Sequence, residues 1–154
     1  LIEKIRDKFS NAMIRSSFIV GFPGETDEDF EQTINFLKSG EIDWVGAFDY
    51  SDEEGTDAYL LKDKVKDRIK KDRVKKIMDI SEEITFKNMT RFVGTKQKIL
   101  IEEKSSENLF IGRFWGQAPE VDGLTVVDSF SAKPGDFTDV VIKRVNSKDL
   151  FGIE

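Results

Sequence analysis

The 154-residue chain contains no cysteine and no histidine. Without thiolates or imidazoles it cannot build a zinc site, a Ser-His-Asp triad or the thiolate ligation of an iron–sulfur cluster. Disulfides are excluded as well, so cysteine usage leaves the compartment undetermined. Proline is scarce, with three residues in all. No apolar run approaches the ~18 residues that a membrane span needs, and no signal-peptide pattern stands at the start. No membrane partner is expected, and the expected location is cytoplasmic. Positive charge is in the minority: 24 Lys and Arg face 30 Asp and Glu, a net charge of −6. A nucleic-acid binder usually shows the opposite balance, so nucleic acid is not the expected main partner.

What is present describes a well-charged globular protein, 38% apolar and 35% charged, long enough for one ordinary domain or two small ones. It opens on Leu1-Ile2-Glu3-Lys4-Ile5, already helical in pattern. A chain that begins inside an element reads as a fragment. Leu1, Ile2, Ile5 and Phe9 follow helical spacing as far as Ser10-Asn11. Residues 12–20 then read as a strand in which Arg15, Ser17, Ile19 and Gly21 share one side, and Ile14, Ser16, Phe18 and Val20 the other.

Gly21-Phe22-Pro23-Gly24-Glu25-Thr26 breaks that strand sharply. The glycines admit backbone angles closed to other residues, and Pro23 fixes its own φ. Thr26 can cap a helix whose first turn holds Asp27, Glu28 and Asp29, where negative charge suits the macrodipole. The helix runs to about Ser39, with Phe30, Ile34, Phe36 and Leu37 expected in the core and Gly40 as its stop. A second strand over residues 43–50 completes a βαβ unit and leads into the acidic loop Ser51-Asp52-Glu53-Glu54-Gly55-Thr56. Strand, glycine loop and helix start form a corner that spacing alone allows with or without a ligand. The adjacent carboxylates of Asp52, Glu53 and Glu54 read as solvated, since neighbours in sequence cannot all face one site.

Residues 62–91 read as a long charged helix. Val74, Ile77, Met78, Ser81 and Ile84 form its narrow apolar stripe. Lys70, Lys71, Arg73, Lys75 and Lys76 read as a solvated face. From Gly94 the period changes to short β-rich runs over 97–102, 109–114, 124–128 and 137–144, separated by turn residues. Four or five short strands predict a small antiparallel barrel or sandwich. A domain boundary follows near residues 91–94, giving domains 1–91 and 92–154.

Three ordered motifs carry a family resemblance. Phe18 to Thr26, followed by Glu28-Asp29-Phe30, resembles the fifth strand and helix of a radical S-adenosylmethionine (radical-SAM) barrel, and within that superfamily the methylthiotransferases. The stretch from Phe48 to Thr56 agrees. Gly116-Gln117-Ala118-Pro119-Glu120-Val121-Asp122-Gly123 is similar to the branch that modifies an aspartate of a small-subunit ribosomal protein. Residues 92–154 resemble a TRAM domain, an OB-like barrel often appended to RNA-modifying enzymes. The implied fold class is α/β: partial radical-SAM (β/α) barrel units followed by a small antiparallel OB-like β-barrel.

The implied activity of the parent enzyme is addition of a methylthio group to an aspartate β-carbon. It uses S-adenosylmethionine and two 4Fe-4S clusters, neither ligated by this chain, so the chain alone is expected to be inactive. No catalytic or metal-binding residue is assigned here. The resemblance implies cofactor contacts at Arg15, Ser17, Ile19, Gly21 and Tyr50. The superfamily's loose GxIxGxxE pattern is met at Ile19 and Gly21 and departs at Ser17 and Gly24. Arg15, if it points into a barrel, needs a partner: a cofactor carboxylate, Asp49 or Glu25.

The small barrel supplies a second candidate site. Phe110, Phe114, Trp115, Phe130 and Phe137 could stack on RNA bases, yet most are expected to fill the core. Between residues 92 and 154, eight Lys or Arg face ten Asp or Glu. That balance favours a basic ribosomal protein over RNA as the docking partner. Trp115, Gln117, Glu120 and Asp122 are the candidate substrate contacts. A tRNA-modifying methylthiotransferase and a non-catalytic RNA- or protein-binding module are the alternatives.

Overall fold

Phe18 and Val20 alternate with exposed residues along β1 (Arg15–Val20), so one face of that strand is apolar and the other is not. The apolar face packs on α2 (Asp27–Lys38), whose Phe30, Ile34 and Leu37 are buried. α2 returns the chain to β2 (Trp44–Asp49), which pairs with β1 in parallel from Arg15↔Trp44 to Val20↔Asp49. A computed structural model describes all residues from Leu1 to Glu154. They form two units, Leu1–Ile84 and Thr85–Glu154.

In the first unit, Ile77 of α3 (Asp67–Met89) completes a core with Val20, Phe30, Ile34 and Leu37. The capping box at Thr26 is formed: the Asp29 N–H donates to Thr26 Oγ1, and the Thr26 N–H donates to Asp29 Oδ2. At the other end of the strands, Asp43 is wholly buried and accepts from Arg6 of α1 (Ile2–Lys8) and from the Ile14 N–H.

Several expectations need correction. α1 buries none of its residues, and Leu1 and Phe9 are exposed. Phe36 of α2 and Met78 of α3 are also exposed rather than core, since each lies one position off the buried stripe of its helix. α3 begins five residues later than its composition predicts. The intervening segment is tied elsewhere: the Asp63 carbonyl accepts from the Gly24 N–H, and Lys64 reaches Asp52 and the carbonyls of Ala58 and Tyr59. No helix is long and apolar enough to cross a membrane.

The second unit is a closed five-stranded barrel of β3 (Lys96–Lys104), β4 (Leu109–Phe114), β5 (Thr125–Asp128), β6 (Phe137–Asn146) and β7 (Asp149–Ile153), in the order β3-β4-β5-β7-β6. Its core holds Ile99, Ile101, Phe114, Val127, Val140, Ile142 and Leu150. The pairing of β5 with β7 is parallel, so the barrel is not antiparallel throughout. The strand that makes this parallel closure, β7, is the one the turn signals did not reveal. It follows the two-residue turn Ser147-Lys148, which has no glycine and places Ser147 itself at φ 51°.

Candidate functional site

The parallel register brings the carboxyl ends of β1 and β2 side by side, where a βαβ unit presents its ligand-facing loops. Alternation along β1 places Arg15, Ser17 and Ile19 together on the face not covered by α2. Across the ladder Ile19 meets Phe48, and both are exposed, 64% and 59% respectively. Ser17 meets Gly46, whose bare backbone leaves the Ser17 hydroxyl uncovered on that side. Gly21 and Tyr50 follow directly on the Val20↔Asp49 pair, and the Tyr50 N–H donates to the Val20 carbonyl at 2.9 Å. Ile19, Gly21 and Tyr50 thus gather at the carboxyl end of the sheet, whereas Ser17 lies further back on the same face and Arg15 lies at the opposite, amino end of the ladder.

The loop after β1 is held from behind. Gly21 has φ 77°, and a β-carbon there would collide with the Lys70 side chain. Its N–H donates to Glu25 Oε2 at 2.9 Å, while Glu25 Oε1 is paired with Arg73. Arg73 also reaches Asp27 Oδ1 at 2.7 Å, and Lys70 Nζ donates to the Tyr50 carbonyl at 3.0 Å. Lys70 and Arg73 are both buried, a departure from the solvated face their cluster predicts; Lys71, Lys75 and Lys76 do stay exposed. Glu25 is committed to Arg73 and Gly21, and so is not the counter-ion proposed for Arg15. The Arg73 cross-links join residues nearly fifty positions apart and that of Lys70 twenty, and nothing local in the sequence announces them.

Tyr50 packs edge-on against Phe22, with ring centroids 5.2 Å apart. Its hydroxyl is buried without a hydrogen bond of normal geometry. Burial, and then the neighbouring Asp52 carboxylate, raise its pKa above the ordinary tyrosine value. The Asp52 carboxyl is lowered, chiefly by its hydrogen bond from Lys64. Asp52, Glu53 and Glu54 do not converge: Glu53 accepts from Ser51 and Asp52 from Lys64. No group of three or more His, Cys, Asp or Glu side chains comes together in a way that would hold a metal ion.

In the barrel, Trp115 is 60% exposed and Glu120 is exposed at φ 64°. Asp122 is half-buried and accepts from the Ala118 N–H at 2.7 Å, which folds the loop onto itself. Gln117 differs from expectation, being only 4% exposed. Its Oε1 accepts from the Phe114 N–H at 3.2 Å and the Thr125 hydroxyl at 2.7 Å. Its oxygen is a buried brace, while its amide nitrogen has no acceptor in the protein.

The aromatics also divide differently than expected. Phe110 and Phe114 are core, while Trp115, Phe130 and Phe137 are exposed. Phe137 is outward because Thr138, Val140 and Ile142 take the inward positions of β6. With Lys98, Leu100 and Arg113 it joins Trp115 and Gln117 around a cleft of about 410 Å³. Most of these aromatics are expected in the core from sequence, and only the barrel register assembles the cleft.

Residues 93–153 match the TRAM domain family, which fixes the class of the second unit. Beyond it, the chain is similar to ribosomal protein uS12 methylthiotransferases RimO. It is 45% identical to that of Thermotoga sp. (strain RQ2) over 152 residues, covering 99% of this chain and 35% of the relative. With the relative from Aquifex aeolicus (strain VF5) the identity is 43% over 155 residues, 99% of this chain and 36% of the relative. With that from Vibrio vulnificus (strain YJ016) it is 40% over 152 residues, 98% and 32%. Nearly the whole chain is thus similar to a segment of RimO-type methylthiotransferases, and it spans about a third of the length of the curated relatives it matches.

Proposed function

We propose that this chain is the part of a radical-SAM methylthiotransferase that walls one side of the cofactor pocket and docks the protein substrate. The parent activity is addition of a methylthio group to an aspartate β-carbon of a small-subunit ribosomal protein, in the cytoplasm. The observation that carries the reading is the pairing of two parallel strand ends with a glycine loop braced by Glu25, Arg73 and Lys70, in a chain 45% identical to a uS12 methylthiotransferase.

The residues fit an adenosyl cofactor. Ile19 and Phe48 offer an exposed apolar pair for a flat ring, and Ser17 and Arg15 offer polar groups on the same face. The Tyr50 hydroxyl, buried beside the Asp52 carboxylate, adds a polar group at the same strand end. Bound S-adenosylmethionine, with clusters ligated outside these residues, would supply the radical and sulfur chemistry. This chain's own part is to bind, orient and exclude water. Its residues offer no thiolate for a cluster, because the chain has no cysteine.

The test uses the longer protein. Ile19→Asp should weaken S-adenosylmethionine binding at least tenfold in equilibrium dialysis and abolish the mass shift of uS12, while far-ultraviolet circular dichroism stays unchanged. Unaltered binding in a folded variant would defeat the cofactor-wall assignment. Incubating the 154-residue chain with iron and sulfide should leave no stable visible chromophore, and a stable cluster would contradict the reading.

A further inference from the structure

The cleft beside Gln117 has a chemistry of its own. The Gln117 amide cannot be turned the other way: the Phe114 N–H can only donate, so the atom 3.2 Å from it is the oxygen. The amide nitrogen is therefore buried, with two N–H groups and no acceptor in the protein, on a residue that lines the cleft. Arg113 lines the same cleft, its buried Nη1 ion-paired with Glu102 without a well-formed hydrogen bond. Every polar side chain lining it is a donor apart from the Gln117 oxygen, which is already doubly used. A buried donor without an acceptor is rare in folded proteins and calls for a partner.

The guest must therefore bring an acceptor, and its charge can be read as well. Lys98 is paired with Asp139 at 3.2 Å, and Arg113 faces Glu102 at 3.3 Å. Asp139, which Lys98 shares with Lys96 at 3.0 Å, and Glu102 offset most of that positive charge, which disfavours a phosphate guest. A Lys or Arg guest meets only donors. What remains is a neutral acceptor on an apolar body, with exposed Trp115 and Phe137 and half-buried Leu100 as the apolar surface. The barrel is closed and offers no free strand edge, so a peptide cannot add as a strand and has to be held by a pocket.

We infer that this cleft is a peptide-docking site: a neutral apolar side chain packs on Trp115, Phe137 and Leu100 while an adjoining main-chain carbonyl accepts from the Gln117 amide. The inference deepens the proposed protein-docking role of the barrel and rests on it.

The test follows the Gln117 side-chain NH2 and Trp115 indole signals by NMR in the full 154-residue chain. The probes are acetyl-Gly-Leu-Gly-amide, acetyl-Gly-Lys-Gly-amide and tetrauridylate, and affinity for purified uS12 is measured in parallel. The leucine peptide should shift both signals, with the lysine peptide and the RNA at least tenfold weaker. Trp115→Ala, Phe137→Ala and the isosteric Gln117→Glu should each cost tenfold or more in peptide and uS12 affinity. Trp115 and Phe137 are exposed, so their variants remain informative if Gln117→Glu perturbs the fold. Shifts caused by the RNA instead, or no shift with any probe, overturn the inference. Binding of uS12 that all three variants leave intact overturns it too, while the broader docking role survives. Leucine-peptide binding without uS12 binding supports the cleft and sinks the docking role.

Discussion

Gly21 is where backbone conformation and side-chain packing coincide, and its neighbour Gly24 separates the two effects. Gly24 has φ 88° and nothing within 4 Å of the point a β-carbon would occupy, so Gly24→Ala meets only the left-handed backbone cost, about 1 kcal/mol. Gly21→Ala adds a collision with the Lys70 side chain, which is held by the Tyr50 carbonyl, and should cost about 2–3 kcal/mol. Urea midpoints at constant slope measure both, and Lys70→Ala should narrow the gap between them. Asp29 gives a pH test. Its hydrogen bonds with Thr26, backbone first, lower its pKa below the ordinary 3.8. A depressed carboxyl contributes stability that is fully present above the unfolded value and lost as pH falls through the folded one. Asp29→Asn should therefore be less stable than the parent at pH 6, and the difference should shrink as pH drops below about 4. A difference independent of pH would show that charge has no part in the cap.

At the scale of elements, the legible parts were those with local signatures. The Phe18-Ile19-Val20 run, the glycines after it and the Thr26-x-x-Asp29 cap all specify their own geometry, and β1, its loop and α2 follow them closely. The turn residues around β4 and β5 worked in the same way. What escaped depends on contacts distant in sequence: Arg73 and Lys70 turned inward by Glu25 and Tyr50, Phe137 turned outward by register, and Gln117 drawn in by the Phe114 N–H and Thr125. β7 escaped because the Ser147-Lys148 turn before it carries no glycine, and the strand itself holds Gly152. In the barrel it is a necessity, since a β-carbon would collide with Val140. Gly112 makes the sharper case, because its β-carbon would strike the Leu100 carbonyl oxygen, fixed in the facing strand. Gly112→Ala should destabilise the barrel by about 3 kcal/mol in urea unfolding. Gly135→Ala, in an open turn at φ 94°, should cost about 1 kcal/mol. Equal losses would mean that the strands yield and that close packing is not what requires glycine.

For the whole molecule, the two units differ in how completely each satisfies itself. The barrel has no free strand edge and its own buried core, so residues 85–154 hold what an independent domain needs, close to the lower size limit for one. The first unit has a sheet of only two strands, with Ile19, Phe22 and Phe48 exposed. Two-stranded sheets are marginal alone, and such an apolar face invites association. Expressed separately, residues 85–154 should unfold in one cooperative urea transition with dispersed amide signals. Residues 1–84 should bind a hydrophobic dye and self-associate as concentration rises. Ile19→Ser with Phe48→Ser should reduce both, since neither side chain joins the α2-facing core. If residues 1–84 instead stay monomeric and dye-silent, the exposed face is not the adhesive surface that a cofactor wall implies. If residues 85–154 fail to fold, substrate docking cannot be a property of the barrel alone.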